Sequence, residues 1–295
     1  MRKQSRGLLL DIIGCICWGV SGTFSQYLFD NHVVSVWWIA GIRALIAGIV
    51  ILGAYKIFQH GALTSIWHHP HDGLVLLAFT FLGMLPWQVT YFLAIKYSNA
   101  PTATVLQFTG PVFIILTMSA LKFSWPRRID VISIVISMAG LILLVTNGRL
   151  TRLALAPLGV LWGVMTGVTQ ATYTLIPRKL LDKYNSELIL GWAMLLGSFP
   201  LVPKIHFLPA YKLTPLVLIA LAVIIFGGTI IGYLFYLISL KYLRPTVTGM
   251  LDCFEPLTAT ILSVIFLGTR MTWIEVIGAL MILLTAFLQA IPEKR

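Results

Sequence analysis

Pro245-Thr246-Val247-Thr248-Gly249-Met250-Leu251-Asp252-Cys253-Phe254-Glu255-Pro256, continuing without a charge to Leu267, is the stretch on which the reading of the chain turns. As a helix it is about long enough to cross a bilayer, yet it carries two carboxylates and a proline. In water such a segment is ordinary. In hydrocarbon each carboxylate needs a partner or a function, so the surrounding sequence decides which solvent applies.

The solvent is lipid. Of the 295 residues, 58% are hydrophobic and 11% charged, with a mean hydropathy of +0.92, whereas soluble domains carry about 25% charged residues. The net charge of +11 is spread through short connections and forms no basic face, which argues against nucleic acid as a partner. Apolar windows of about 20 residues mark ten spans, roughly 7–29, 35–57, 73–95, 101–121, 128–146, 156–177, 187–203, 214–238, 246–267 and 272–291. The seventh is the shortest, closed by Pro200 and Pro203. Met1 to Arg6 resembles the basic start of a signal peptide, but the apolar run behind it exceeds a signal core of about 7–15 residues and is read as the first span. No stretch remains for a soluble domain. With the N-terminus inside, fourteen of the 21 Lys and Arg fall in cytoplasmic connections, six on the other side, and Arg43 within a span. Both termini are therefore expected in the cytoplasm of a bacterial-type cell, the chain being multi-pass in its inner membrane.

An internal repeat organises these spans. At an offset of 145, Phe81 falls on Phe226, Gly83 on Gly228, Tyr91 on Tyr236, Lys96-Tyr97 on Lys241-Tyr242 and Pro111 on Pro256. An offset of 144 places Trp18-Gly19 and Gln26 on Trp162-Gly163 and Gln170. The expected fold is thus an all-α integral membrane protein of ten transmembrane helices in two five-helix repeats, 1–147 and 148–295. Five is odd, so the second repeat is expected inverted, an arrangement many secondary transporters use to place a site at the midplane.

Glu255 lies ten residues beyond Pro245, roughly 15 Å along a helix and close to the bilayer centre. Asp252 sits one turn earlier on the same face. Pro256 cannot donate to the Asp252 carbonyl, which is expected to be a spare acceptor beside the two acids. Two carboxylates so close and so deep are not expected to be ionised together, and one that trades a proton for a substrate is a simple coupling device. A structural ion pair with Arg43 is the bland alternative. In the first repeat Gln107 and Gly110 occupy the equivalent positions before Pro111, so both halves share a hinge, at Pro111 and Pro256, while only one carries charge. Gln107 and Thr109 would then hydrogen-bond from the uncharged wall.

Among the aromatic and polar residues able to line the same cavity (Trp18, Gln26, Trp87, Gln88, Tyr91, Trp162, Gln170, Tyr173, Trp192, Tyr233 and Tyr236), Gln88 and Tyr91 have the strongest case, being deep or beside repeat landmarks. Trp37 and Trp38 are expected in the interfacial belt. Gly159, Gly163 and Gly167 form a close-packing stripe. Cys15, Cys17 and Cys253 read as small packing residues. The histidines His60, His68, His69 and His71 crowd one loop without the spacing of a metal site on a structured element. No paired nucleophile and base, nucleotide loop or zinc motif is present, so no enzyme activity, cofactor or metal is expected.

Arg43 in the second span, Asn99-Ala100-Pro101-Thr102-Ala103-Thr104-Val105-Leu106 leading to Pro111, and Glu255-Pro256 followed by Phe266-Leu267-Gly268 resemble the EamA-type branch of the drug/metabolite transporter superfamily. The resemblance covers essentially the whole chain and specifies fold more than substrate. It implies a carrier of amino acids, drugs, sugars or related metabolites. The chain departs from the family where Leu-Gly-Glu is common, having Leu267-Gly268-Thr269 and, in the first half, Lys122-Phe123-Ser124. Together these readings predict a proton-coupled exporter of a small molecule, working by alternating access as a monomer or homodimer in the bilayer. Glu255 and Asp252 are expected to bind protons or substrate, Arg43 to balance them or take a substrate carboxylate, and Gln107, Thr109, Gln88, Tyr91, Trp18 and Tyr236 to complete the site. A proton-independent facilitated carrier is an alternative within transport; a receptor or scaffold would leave two buried acids unexplained.

Overall fold

The computed structural model describes residues 2–122, 128–148, 155–205, 212–239, 242–243 and 251–289, and among these there are helices and no strands. Helix α1 spans Arg2–Asp30 and α2 Val36–Gln59, the latter capped by Ser35, whose hydroxyl accepts from the Trp38 N–H. That cap supplies one of the donor partners a helix start lacks. The third rod is composite: α3 (Pro70–Ala78), a π-helical segment (Phe79–Met84) and α4 (Leu85–Tyr97). Pro86 is the second residue beyond the π segment, and a widened turn lets the rod continue past a residue with no N–H to give.

The fourth rod is broken. Helix α5 (Ala100–Gln107) starts at Asn99, which caps the Thr102 N–H at 2.8 Å, and α6 runs Gly110–Lys122 beyond a turn at Phe108 and Thr109. Helices α7 (Arg128–Thr146), α8 (Pro157–Leu175), the short α9 (Arg178–Leu181) and α10 (Ser186–Ser198) follow, α10 continuing as a 3-10 turn over Phe199–Lys204 that contains Pro203. The eighth rod repeats the third: α11 (Pro215–Ala222), a π segment (Val223–Ile231) and α12 (Gly232–Ser239). Last come α13 (Phe254–Leu267) and α14 (Trp273–Gln289). Residues 246–250, which open the ninth span of the sequence reading, lie outside the described residues.

Among the described residues, seven helical stretches are long and apolar enough to cross a membrane: Ser5–Asp30, Val36–Gln59, Pro70–Tyr97, Ala100–Ala120, Arg128–Thr146, Ser186–Lys204 and Pro215–Tyr236. Phe254–Leu267 and Trp273–Thr285 are shorter apolar helices. Helix α8 is not among the seven; its Gly, Thr and Gln positions pack inward, with Gly159, Gly163, Thr166, Gly167 and Thr169 buried against the first half. The glycine stripe read from sequence is therefore a contact surface: a Cβ at Gly159 would meet the Tyr97 carbonyl, and one at Gly163 the Leu106 side chain.

Packing runs across the chain. Helix α1 lies on α12 and α13, α8 on α4, α5 and α6, α2 on α10, α5 on α13, and α7 on α14. One buried apolar cluster gathers Leu28, Ile39, Phe92 and Ile95, and another Ile51, Leu76, Leu188 and Met194. Ile132, Val135 and Ile142 of α7 and Ile277, Leu280 and Leu284 of α14 are exposed, which in this chain is the surface offered to lipid.

Candidate functional site

The two broken rods bring the site together. Gln107 ends α5, Asp252 lies in the turn ahead of α13, and Glu255 is the second residue of α13. Pro111 and Pro256 both stand in the first turn of the helix after the break, where the missing N–H would have had no helical partner. Each proline marks a helix start and not a kink in a continuous helix. The Asp252 carbonyl accepts from the Glu255 N–H at 3.0 Å, so the spare acceptor expected there is already used. Glu255 lies at the amino end of α13, where the helix dipole favours a negative charge.

Glu255 is 4% exposed and borders two cavities. The first is lined by Trp18, Ser21, Arg43, Trp87, Gln88, Tyr91, Gln107, Gly228, Tyr233 and Glu255. The second is lined by Trp18, Trp87, Gln107, Phe108, Gln170, Tyr173, Thr174, Tyr236, Asp252 and Glu255. Trp18, Trp87, Gln107 and Glu255 form the wall common to both. Gln107 Nε2 donates to Glu255 Oε2 at 3.4 Å, joining the two halves across the broken helices, and Gln107 Oε1 has no hydrogen-bond partner.

Arg43 does not pair with either acid. Its Nε donates to Gln88 Oε1 at 2.9 Å, its guanidinium lies 4.7 Å from the Phe92 ring centroid, and Gln88 Nε2 meets the Met194 sulfur at 3.3 Å. The ion-pair alternative is thereby removed: cation and carboxylate share the first cavity without a salt bridge. The buried Tyr91 hydroxyl lines that cavity without a hydrogen-bond partner. It has room because Gly22 stands opposite, where a Cβ would come within 2.7 Å of it.

Aromatic rings build the remaining walls. Trp18 meets Tyr233 edge-on at 5.2 Å and Tyr236 tilted at the same separation, and Trp87 stacks on Tyr173 at 4.7 Å. The indole N–H groups of Trp18 and Trp87 are buried without partners. Such rings attract a cationic group to their faces and leave their polar edges available to a solute.

Of the sequence-derived residues, the structure gathers Glu255, Asp252, Arg43, Gln107, Gln88, Tyr91, Trp18 and Tyr236 around these cavities. Thr109 is placed elsewhere: its hydroxyl bonds the Leu106 carbonyl at 2.7 Å, and the residue packs on Gly167 of α8. Gln26 is a tie, accepting from the Ala100 N–H and Ser263 and donating to Thr269. Trp192 donates to the Leu63 carbonyl and packs on Trp67. Trp162 packs beside the first apolar cluster. Trp38, expected at the interface, is 7% exposed, whereas Trp37 is 43% exposed. Ser21 and Gly228 were not singled out for the site; their small size admits the cavity, and nothing in the sequence ranks them above other small residues. Asp11 was also passed over, hidden near the basic start of the chain.

The sequence profile of the EamA-like transporter family matches residues 5–146 and again 157–290. An uncharacterized inner membrane transporter of Salmonella typhimurium, YicL, is 31% identical, with 100% of this chain and 98% of that protein covered. The uncharacterized transporter YwfM of Bacillus subtilis is 26% identical over 97% of this chain and 95% of its own length. A protein of known crystal structure superposes with a TM-score of 0.65 at 19% identity, covering 96% of this chain and 95% of that one, which shows a shared fold. Apolar helices, a buried polar cavity between them and a profile matched along nearly the whole length lead to one statement: the chain is a membrane protein that belongs to the EamA-like transporter family.

Proposed function

We propose that the protein is a secondary active transporter that exports a small metabolite, amino acid or drug-like molecule across the inner membrane by alternating access, coupled to protons. The observation that carries this reading is the position of Glu255, a buried carboxylate common to two cavities, with Arg43, bonded to Gln88 and to neither acid, in one and Asp252 in the other.

A buried carboxylate is tolerable when protonated or when a cation faces it, and costly when bare. A substrate ammonium arriving at Glu255 supplies that cation, so the proton leaves as the substrate binds. When the substrate departs a proton returns. Trp18 and Trp87 present ring faces to the amine, and Arg43, held by Gln88, takes a carboxylate or other acceptor at the far end of the same solute. Because one carboxyl holds a proton or a substrate but not both, movement of one is tied to countermovement of the other.

Alternating access is supported by the symmetry of the packing. Numbering the rods one to ten, exchange of each rod with the one five places away maps the pair α1–α12 onto α8–α4 and α1–α13 onto α8 with α5 and α6; the pairs α2–α10, α5–α13 and α7–α14 map onto themselves. The two π segments and the two breaks also correspond at the offset of 145. These features support two inverted five-helix repeats, 1–147 and 148–295, and the excess of Lys and Arg in the connections on one side supports both termini in the cytoplasm.

The test is flux in proteoliposomes. Candidate amines, amino acids and nucleosides that raise the thermal stability of purified protein are loaded with and without an imposed pH gradient. Export by the parent is expected to accelerate with an opposing proton gradient, and Glu255→Gln to lose that acceleration. A Glu255→Gln variant as fast as the parent with the same pH dependence removes the coupling role. Parent flux that ignores the gradient identifies a facilitated carrier.

A further inference from the structure

Joined to the second cavity through Asp252 is a group of side chains of which the transport reading uses neither Asp11 nor Cys15. Asp11 and Cys15 stand one turn apart on α1, on one helix face. Both are fully buried. Asp252 approaches them from the other half of the chain, and the Cys15 thiol donates to Asp252 Oδ1 with a separation of 3.6 Å. One ligand atom from each of the three residues lies within 4.8 Å of the other two. Ser239 donates to Asp11 Oδ1 at 2.7 Å, whereas Asp11 Oδ2 is buried without any partner. Among the described residues no Lys, Arg or His bonds to any of the three; the ion pair found is elsewhere, between Lys183 and Asp72.

We propose that Asp11, Cys15 and Asp252 form a binding site for a divalent cation of the zinc class, sharing Asp252 with the second cavity. In a tetrahedral zinc site, thiolate and carboxylate bonds of about 2.3 and 2.0–2.2 Å put sulfur and oxygen roughly 3.5 Å apart. The Cys15 to Asp252 separation already equals that edge. A carboxylate oxygen of Asp11, within 4.8 Å of the other two ligand atoms, supplies the third ligand after a side-chain adjustment, and Asp11 Oδ2 has no hydrogen bond to give up. Two ligands four residues apart on a helix with a third from a distant segment is a familiar zinc geometry. The thiolate selects zinc, cobalt or cadmium over magnesium or calcium, which prefer oxygen alone. On binding, Cys15 exchanges its S–H bond for a sulfur–metal bond and the proton passes to water, while both carboxylates ligate as anions. The ion would tie α1 of the first half to the turn that precedes α13 in the second.

The experiment is a Co2+ titration of chelator-stripped protein in detergent. A near-ultraviolet thiolate-to-cobalt band is expected, saturating at one ion per chain and displaced by Zn2+. Cys15→Ser should abolish the band, while Cys17→Ser and Cys253→Ser should retain it. Asp11→Asn should weaken binding by more than about tenfold, the loss that even an outer-shell change produces. X-ray absorption of the zinc-loaded parent, which needs no variant, should report one sulfur and at least two oxygen neighbours. No band in the parent, a zinc shell without sulfur, or a band that survives Cys15→Ser overturns the proposal. None of these readouts depends on transport, so the proton-coupled export reading stands or falls separately.

Discussion

At Gly19 the backbone of α1 touches the start of α13 so closely that a Cβ would lie 2.6 Å from the Glu255 carbonyl, 2.7 Å from the Thr258 Cβ and 3.0 Å from the Ala259 nitrogen. Two of these atoms belong to helical backbone and have nowhere to go. Gly19→Ala is therefore expected to destabilise by about 1–3 kcal/mol, as overpacking does, seen as a lower unfolding temperature in detergent. Gly53 on α2 is the control: nothing lies within 4 Å of its would-be Cβ. Gly53→Ala should be neutral or stabilising by up to about 1 kcal/mol through helix propensity. At this scale the sequence was informative where a residue type was expensive in lipid. Glu255, Asp252 and Arg43 could be picked out because charge inside a span is rare. Trp192 and Thr109 could not be sorted from Trp18 and Gln107, because which face of a helix meets a cavity depends on its neighbours. Asp11 and Cys15 gain significance from Asp252, 237 positions beyond Cys15, a closeness that no local pattern carries.

At the scale of elements, the broken helices alter the role read for the prolines. A proline inside a continuous helix removes a hydrogen bond and costs about 3 kcal/mol; in the first turn it removes none. Pro111→Ala and Pro256→Ala are thus each expected to change stability by less than about 1 kcal/mol, measured by chemical or thermal unfolding. A gain near the larger figure would show that the helices run through these points. A second element to probe is the contact between α3 and the segment after α9. Lys183 Nζ reaches both oxygens of Asp72 at 3.0 and 3.1 Å, and the Tyr184 hydroxyl donates to Asp72 at 2.9 Å. Burial pushes the Tyr184 hydroxyl above its usual titration range, and the bond to Asp72 pushes it the same way, so it remains a donor at neutral pH. The Lys183 side chain is 57% exposed, and Lys183→Ala is expected to cost less than about 1 kcal/mol. Asp72→Ala strands both partners and should cost more than Lys183→Ala. Equal losses from the two substitutions would mean that Tyr184 contributes nothing.

For the whole molecule, the alternation of apolar runs with short charged connections made the membrane class and seven of the ten expected spans readable, since bilayer thickness sets the length of a crossing. The landmarks shared at the offset of 145 pointed to the rods that resemble one another. Which rods touch was not readable, because lipid is as apolar as a helix surface and hydrophobicity cannot choose partners within it. Small residues such as Gly140 and Gly278, whose backbones abut between α7 and α14, become meaningful once both helices are in view. The π segments at Phe79–Met84 and Val223–Ile231 were equally invisible, and they carry a consequence for how the aromatic walls are aimed. A wide turn spends an extra residue without advancing the rod, so the residues after it are rotated by about 100° relative to an unbroken helix of the same composition. Trp87, Gln88 and Tyr91 follow the first segment, and Tyr233 and Tyr236 the second. Deleting Leu82, which is 61% exposed and lines neither of these cavities, removes the extra residue and should leave a regular helix with Trp87 and Tyr91 still turned toward Glu255, whereas deleting a second residue of the segment should turn them by about 100° and abolish ligand-induced thermal stabilisation. Replacing Leu82 with Ala should preserve it. The orientation of the binding wall is thus encoded as a count of residues rather than as their identities, and an insertion or deletion that the wide turn cannot take up redirects the cavity where most substitutions at that position would pass unnoticed.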